Sequence, residues 1–100
     1  MIIYNVTCSV DKQISDEWLS WMKDKHCPDL IKTGLFSEFR ILKVLSHDDP
    51  DTFSFAVQYY SKSLDNVNEY LETHAPRLRD DVQKRYGERV VAYRTLLEVV

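Results

Sequence analysis

The chain contains the pattern His-x-Pro-x-Leu twice, as His26-Cys27-Pro28-Asp29-Leu30 and as His74-Ala75-Pro76-Arg77-Leu78. Each copy follows an amphipathic segment with an aromatic and aliphatic stripe, and each segment follows a strand-like run. Proline lacks a backbone donor and disfavours the α region for the preceding residue, so each copy predicts a helix break. The chain therefore consists of two similar halves, each a strand, a broken helix and another strand.

Hydrophobic periodicity fills in the elements on either side of the two copies. Alternation of apolar and polar residues predicts four strands, at residues 2–10, 35–46, 52–60 and 88–100. Spacing of three and four predicts helical pieces at 15–26, 28–33, 63–73 and 76–86, with Ser63 as an N-cap and with Gly34 and Gly87 as terminators. The order β-α-β-β-α-β predicts a ferredoxin-like α+β fold, with a four-stranded antiparallel sheet and broken helices on one face. We expect a single domain over residues 1–100.

The second face of this sheet is unusual because it mixes apolar and polar side chains. In the last strand we expect Val91, Tyr93, Leu97 and Val99 to face the helices. The opposite face then carries Ile3, Leu42, Val44, Ala56, Ala92 and Leu96 with Asn5, Thr7, Arg40, Gln58 and Arg94. A half-apolar face favours a second copy as its partner, which predicts a homodimer in which two sheets form a barrel. Arg94→Glu should weaken that dimer; the alternative is a face that a monomer tolerates.

Composition and charge narrow the classes of partner. The formal net charge is −3, with no basic run, which disfavours nucleic-acid binding. The opening residues lack the features of a secretory signal and no apolar run approaches the length of a membrane span, so we expect a cytoplasmic protein without a membrane partner. Cys8 and Cys27 are interpreted as reduced thiols filling the interior.

The candidate site residues come from the helix breaks and from the strands beneath them. His26 and His74 are the catalytic candidates, as proton carriers or ligands; alternatively, each ring donates a hydrogen bond to a carbonyl freed by the break. We expect His74 to be the more buried and His26 the more accessible. Tyr4 and Tyr59 are ligand-binding candidates in a pocket between helix and sheet. Arg40 and Arg94 could bind a carboxylate in a dimer cavity, or pair across chains with Glu38 or Glu98.

Other kinds of site are disfavoured by the absence of their motifs. The chain has no CxxC, HExxH or EF-hand spacing, so we expect no metal site. Glycine-rich phosphate loops and the GxSxG turn are absent as well, and we expect no cofactor.

Several longer stretches resemble one small bacterial family. They are Ile2 to Thr7, Trp18, Trp21-Met22, His26-x-Pro28, Thr33-Gly34, Val57 to Tyr59, Tyr70 to Leu78 and Tyr93 to Glu98. The family is known as domain of unknown function 4286, and the resemblance covers essentially the whole chain. More distantly, the layout is similar to the dimeric α/β-barrel superfamily. That superfamily includes cofactor-free monooxygenases, muconolactone-isomerase-like proteins, EthD-like proteins and haem-degrading enzymes, and only this analogy suggests a haem ligand at either histidine.

Two classes of function remain open. The first is a small-molecule binding or interaction module without catalysis, which we expect because neither histidine has an identifiable catalytic partner. The alternative is a cofactor-independent monooxygenase- or isomerase-like enzyme acting on an aromatic or carboxylated metabolite through His26 or His74. An acid–base histidine should titrate near pH 6–7, whereas two rings silent between pH 5 and 8 would exclude that role.

Overall fold

The computed structural model describes residues 1–100 and shows four strands and four α-helices. The strands are β1 (Ile2–Asp11), β2 (Glu38–Lys43), β3 (Thr52–Ser61) and β4 (Val90–Glu98). The helices are α1 (Ser15–Trp21), α2 (Cys27–Lys32), α3 (Leu64–Thr73) and α4 (Ala75–Tyr86). A π-helical turn (Met22–His26) joins α1 to α2, and 3-10 turns (Lys12–Ile14 and Gly87–Arg89) follow β1 and precede β4. The predicted order of elements is confirmed.

All strand pairs are antiparallel, and the sheet order is β2-β3-β1-β4. This is the ferredoxin-like arrangement, in which the first and third strands lie at the centre. Tyr4 of β1 lies opposite Tyr59 of β3 and Leu96 of β4, so these three side chains share the helix-facing side of the sheet.

The core lies between that face and the helices. It is centred on β1 and β3, and its buried members include Tyr4, Val10, Phe55, Val57 and Tyr59 below Trp18, Met22, Leu30, Val67 and Leu78. Four aromatic rings, those of Tyr4, Phe36, Tyr59 and Tyr70, pack with centroid separations of 5.1 to 6.0 Å. Such tilted and edge contacts add to the free energy of area burial.

The first His-x-Pro copy does not break the helix. Cys27 keeps helical dihedral angles (φ −63°, ψ −44°), and its N–H bonds the carbonyl of Met22, five residues back. Within a regular α-helix the ring of Pro28 would collide with the carbonyl four residues earlier, and the wider π turn relieves that collision. The helical path therefore continues from Ser15 to Lys32, and the predicted break here is wrong.

The second copy breaks the helix as predicted. His74 leaves the helical geometry (φ −115°, ψ −32°); its N–H bonds the carbonyl of Tyr70 to close α3, and its own carbonyl accepts from Leu78 to open α4. Pro76 lies in the first turn of α4, where an amide proton has no intrahelical partner to lose. Ser63 caps α3, since its hydroxyl oxygen accepts from the N–H of Asn66, as expected.

Predictions about two strands need correction. The second strand is Glu38–Lys43 rather than 35–46, because Leu35 and Phe36 turn into the core before it and Leu45, 89 % exposed, lies beyond it. The fourth strand is Val90–Glu98 rather than 88–100, because Gly87–Arg89 form a 3-10 turn before it, and its facing is the reverse of the prediction. Register with β1 places Val90, Ala92, Arg94 and Leu96 on the helix side and Val91, Tyr93 and Leu97 on the open side. The expected effect of Arg94→Glu on a sheet-face dimer therefore loses its basis.

Gly87 ends α4 with φ +57° and ψ −131°, a region that residues with a Cβ atom rarely occupy. A Cβ built there would meet no neighbouring atom, so any cost of substitution comes from the backbone alone. We expect Gly87→Ala to lower the free energy of unfolding by about 1–3 kcal/mol. Glu88→Ala, on the exposed next residue, should stay within about 0.5 kcal/mol of the parent. Urea denaturation of both variants checks this, and equal midpoints would contradict it.

Candidate functional site

A cleft of about 910 Å³ lies between the helix-facing side of the sheet and the helices. Its floor is formed by β1, β3 and β4, and its walls by the α1–α2 segment, α3 and α4. The lining residues are Tyr4, Val6, Cys8, Trp18, Met22, His26, Leu30, Tyr59, Tyr70, Pro76, Arg79, Asp80, Val82, Gln83, Gly87, Glu88, Val90, Val91, Ala92 and Arg94. This cleft lies where a pocket between helix and sheet was predicted, and both tyrosine candidates, Tyr4 and Tyr59, line it.

The first wall follows from the π turn. Trp18, Met22, His26 and Leu30 are spaced by four residues and all line the cleft. In a regular α-helix each step of four residues turns about 40° beyond a full circle, so a run of four such residues would drift off one face. The wider π turn takes back part of that rotation. His26 and Leu30 consequently share the face of Trp18 and Met22.

His26 lies inside the cleft and is only 9 % exposed. Its ring stacks on Trp21 at a centroid distance of 5.1 Å and makes no hydrogen bond within the chain. Burial lowers the pKa of His26 from 6.5 to about 4; Asp29 and Asp81 act in the opposite direction, and Arg94 adds to the lowering. At neutral pH the ring is uncharged, so it can accept a proton or a hydrogen bond from a ligand but cannot serve as an acid.

His74 is not among the cleft residues. Its Nδ1 lies 3.3 Å from Nη2 of Arg77, and its ring stacks on Tyr70 at 6.4 Å. The ring is partly exposed, so the expected order of burial for the two histidines is wrong: His26 is the more buried. Neither ring donates to a carbonyl freed by a helix break, because the first helix is unbroken and His74 faces a guanidinium instead.

The two tyrosine candidates make different contacts. The Tyr4 hydroxyl accepts a hydrogen bond from Nη2 of Arg79 at 3.2 Å. The hydroxyl of Tyr59 lies 3.3 Å from Sγ of Cys27, deep in the core, which ties α2 to β3. Burial raises the pKa of Tyr59 well above its ordinary value, so this hydroxyl stays protonated. Tyr59 therefore has a structural contact as well as its place in the cleft.

Both cysteines are buried free thiols. Burial raises the pKa of each thiol to about 12, although Arg94 opposes this at Cys8 and the Tyr59 hydroxyl opposes it at Cys27. Thiols rather than thiolates are present at neutral pH, so neither is a nucleophile. No group of three or more histidine, cysteine or carboxylate side chains is placed to hold a metal ion.

The two arginine candidates lie on opposite faces of the sheet. Arg94 lines the cleft, whereas Arg40 pairs in register with Gln58 on the open face. The structure therefore separates the arginines that the sequence placed together. It brings Arg79 of α4 to the cleft instead, together with Asp80 and Gln83. The sequence signal for these was available, since Pro76, Arg79, Asp80, Gln83 and Gly87 follow the three-four spacing of one helix face.

Two further polar groups of the cleft were missed by the sequence analysis. Trp18 is 0 % exposed, and its indole Nε1 is buried without a hydrogen-bond partner. Tyr70 is 2 % exposed, and its hydroxyl makes no hydrogen bond within the chain. Their spacing on amphipathic helices predicts burial for both, but it gives no information about where the polar end of the side chain points. Of the polar atoms in the cleft, the Trp18 Nε1 is the one that is fully buried without a partner, whereas the His26 ring and the Tyr70 hydroxyl make no hydrogen bond within the chain but keep some contact with solvent.

Solved structures show the same fold at low sequence identity. A proposed antibiotic biosynthesis monooxygenase from Deinococcus radiodurans is 15 % identical, with a TM-score of 0.69 over 100 % of this chain and 93 % of the other. An EthD family protein from Bacillus halodurans is 11 % identical, with a TM-score of 0.67 over 100 % of both chains. A dimeric ferredoxin-like protein from an uncultured marine organism is 12 % identical, with a TM-score of 0.63 over 99 % and 94 %. The protein is of the ferredoxin-like α+β class.

A family model then identifies the chain more closely. The model described as Domain of unknown function (DUF4286) matches residues 1–100, so the chain belongs to that family, as its sequence resemblance implied. One curated protein, CMRF35-like molecule 6 of Mus musculus, is 27 % identical over 70 residues. That match covers 67 % of this chain and only 31 % of the mouse protein, so the chain spans about a third of its length. No helix is long and apolar enough to cross a membrane.

The buried imidazole of His26 makes stability depend on pH. Its pKa is about 4 in the folded chain and 6.5 in the unfolded chain, so unfolding takes up a proton between these values. The stability associated with the neutral ring is therefore complete above pH 6.5 and is lost as pH falls towards 4. Between pH 7.5 and 4.5 we expect the wild type to lose about 2 kcal/mol more unfolding free energy than His26→Gln.

Urea denaturation at the two pH values provides the measurement. The control is His47→Gln, since His47 bonds the Thr52 hydroxyl outside the cleft, and this variant should keep the pH dependence of the wild type. If His26→Gln keeps it too, His26 is not a buried neutral ring.

Proposed function

We propose that the protein is a small-molecule binding module whose ligand occupies the cleft between helices and sheet. The observation that carries the proposal is a cleft lined by polar groups that the chain leaves available: the Trp18 indole Nε1 is buried without a partner, and the His26 ring and the Tyr70 hydroxyl make no hydrogen bond within the chain. A buried polar group that lacks a partner costs about 1–3 kcal/mol of stability, and a bound ligand would remove that cost. The volume of the cleft is within the range of sites for small molecules.

An enzyme remains the second candidate, and it now rests on His26 alone because His74 does not line the cleft. A neutral imidazole beside the cleft can accept a hydrogen bond from a bound aromatic or carboxylated metabolite without any cofactor, but its pKa of about 4 lies below the range of pH 6–7 expected for an acid–base histidine, which argues against proton transfer by His26. The fold similarity to a proposed monooxygenase and to an EthD family protein is consistent with this candidate, and it is evidence of fold only.

Filling the cleft should abolish binding. Ala92 lies on the floor, on β4, and Ala92→Phe would extend a ring into the space that the ligand needs. We expect small aromatic compounds to shift the amide and side-chain NMR signals of His26, Tyr70 and Ala92 in the wild type. The same compounds should leave Ala92→Phe unaffected. Asn68→Phe adds an equal ring on the exposed surface of α3 and should bind as the wild type does. Shifts in the Ala92→Phe variant equal to those of the wild type would contradict the assignment of the cleft.

We also propose that the open face of the sheet joins two copies into a homodimer. Four large apolar side chains on this face are at least two-fifths exposed in the single chain: Leu42, Val91, Tyr93 and Leu97. A second copy would cover these apolar groups. The dimeric ferredoxin-like protein of the same fold is consistent with this arrangement.

Adjacent residues of β4 provide a matched test of the dimer. Tyr93 is 65 % exposed on the open face, whereas Arg94 faces the cleft. We expect Tyr93→Glu to give monomers, because two carboxylates would be buried near the symmetry axis. Arg94→Glu should leave the dimer intact. Light scattering at micromolar concentration distinguishes these outcomes. A wild type that runs as an 11.8 kDa monomer, or two variants that dissociate equally, would contradict the proposed interface.

A further inference from the structure

Four side chains of the cleft can donate hydrogen bonds to a ligand, and they are Trp18, Tyr70, Arg79 and Arg94. The indole N–H of Trp18 and the guanidinium groups of Arg79 and Arg94 can donate hydrogen bonds but cannot accept them. The protonated phenol of Tyr70 is a strong donor. The carboxylate of Asp80 also lines the cleft, but this carboxylate forms an ion pair with the ammonium group of Lys84 at 2.8 Å. A ligand that matches this lining must therefore be rich in acceptors.

Positive charge is concentrated at one end of the cleft. Arg79 reaches the Tyr4 hydroxyl, and the ring of Tyr70 lies 5.6 Å from that of Tyr4. Arg94 pairs in register with Val6, two residues along β1 from Tyr4 and on the same side of the sheet. Burial raises the pKa of Tyr70, and Tyr4 adds to the rise. The guanidinium groups of Arg79, Arg94 and Arg77 oppose it, as expected if all three lie near its hydroxyl.

This positive charge has no compensating partner within the chain. The four ion pairs of the structure involve Lys25, Lys84, Arg85 and Arg89, and none includes Arg79 or Arg94. Glu88, the remaining carboxylate of the lining, precedes β4 at the end where Val90 pairs with Val10. That position is six residues along β1 from Tyr4, or about 20 Å. The end near Tyr4 is therefore cationic.

We infer that the cleft selects a carboxylate with an apolar body, an inference that rests on the proposed binding function. The carboxylate lies between Arg79 of α4 and Arg94 of β4, with the Tyr70 hydroxyl as a third donor. Guanidinium groups are suited to this role because their donors form a rigid fork that matches a carboxylate. The apolar body of the ligand lies against Val82 of α4 and against Val90 and Ala92 of β4, which line the cleft and are only partly buried.

Two isosteric probes test this inference. The carboxylate 2-naphthoate and the neutral 2-naphthylmethanol have the same ring system, so a difference in affinity reports the charged group. Isothermal titration calorimetry at pH 7.5 should show tighter binding of the carboxylate. In Arg79→Gln and in Arg94→Gln, affinity for the carboxylate should fall about tenfold, and affinity for the alcohol should change by less than about twofold.

Lys32→Gln is the control. Lys32 is exposed at the end of α2 and does not line the cleft, and its substitution changes the net charge by the same amount. The affinity of this variant for 2-naphthoate should remain within about twofold of the wild type, since an exposed charge outside the cleft is screened by salt. An equal loss in Lys32→Gln would overturn the inference, because the attraction would then be a general effect of charge.

The remaining outcomes separate this inference from the proposed function. If both probes bind in the cleft with equal affinity in all variants, the cleft is a binding site and the selection of a carboxylate is wrong. If neither probe binds the wild type, the binding function and the inference are both wrong.

Discussion

The pyrrolidine ring of Pro28, which removes a backbone donor and collides with the carbonyl four residues earlier in a regular helix, is the constraint on which the candidate site depends. A proline in a continuous helix forces the chain either to break or to widen, and here it widens into the π turn Met22–His26. The wider turn keeps His26 on the same face as Trp18 and Met22 and carries Cys27 to the hydroxyl of Tyr59. One covalent property of one residue thus sets a wall of the cleft and its contact with the sheet. π turns inside α-helices frequently mark functional sites, which agrees with the place of this one.

The order of elements could be predicted from the sequence because it follows from periodicities that are local. Alternation in β1 and β3 is strong, and the structure extends each of the two predicted strands by only one residue. The behaviour of the two prolines was not accessible in the same way. The pattern His-x-Pro is identical in both halves, yet one copy gives a π turn and the other a break at His74. The difference depends on packing of each segment against the sheet, which a local pattern does not contain.

The facing of β4 shows why the candidate site was predicted only in part. Its two alternating sets are Val91, Tyr93, Leu97 and Ala92, Arg94, Leu96, and the more hydrophobic set was assigned to the core. That rule fails when the open face of a sheet is itself apolar, since hydrophobicity then no longer identifies the inner side. The register of β4 with β1 determines which set of residues faces the helices, and it places Arg94 in the cleft. Whether the side chains of Trp18, His26 and Tyr70 find hydrogen-bond partners depends on the folded structure, and the sequence pattern does not show it.

β4 contributes side chains to both faces of the sheet, and the proposals assign dimerisation to the open face and ligand binding to the helix-facing side. β4 is an edge strand held by β1 alone, so its register with β1 fixes the places of Tyr93 and Arg94 together. A partner copy that covered Tyr93 would also restrict the strand that carries Arg94, without touching the cleft. Restricting an edge strand reduces the conformational entropy that a ligand would otherwise have to remove on binding. Assembly through the open face and recognition in the cleft are therefore expected to reinforce one another, because they use alternate residues of one strand.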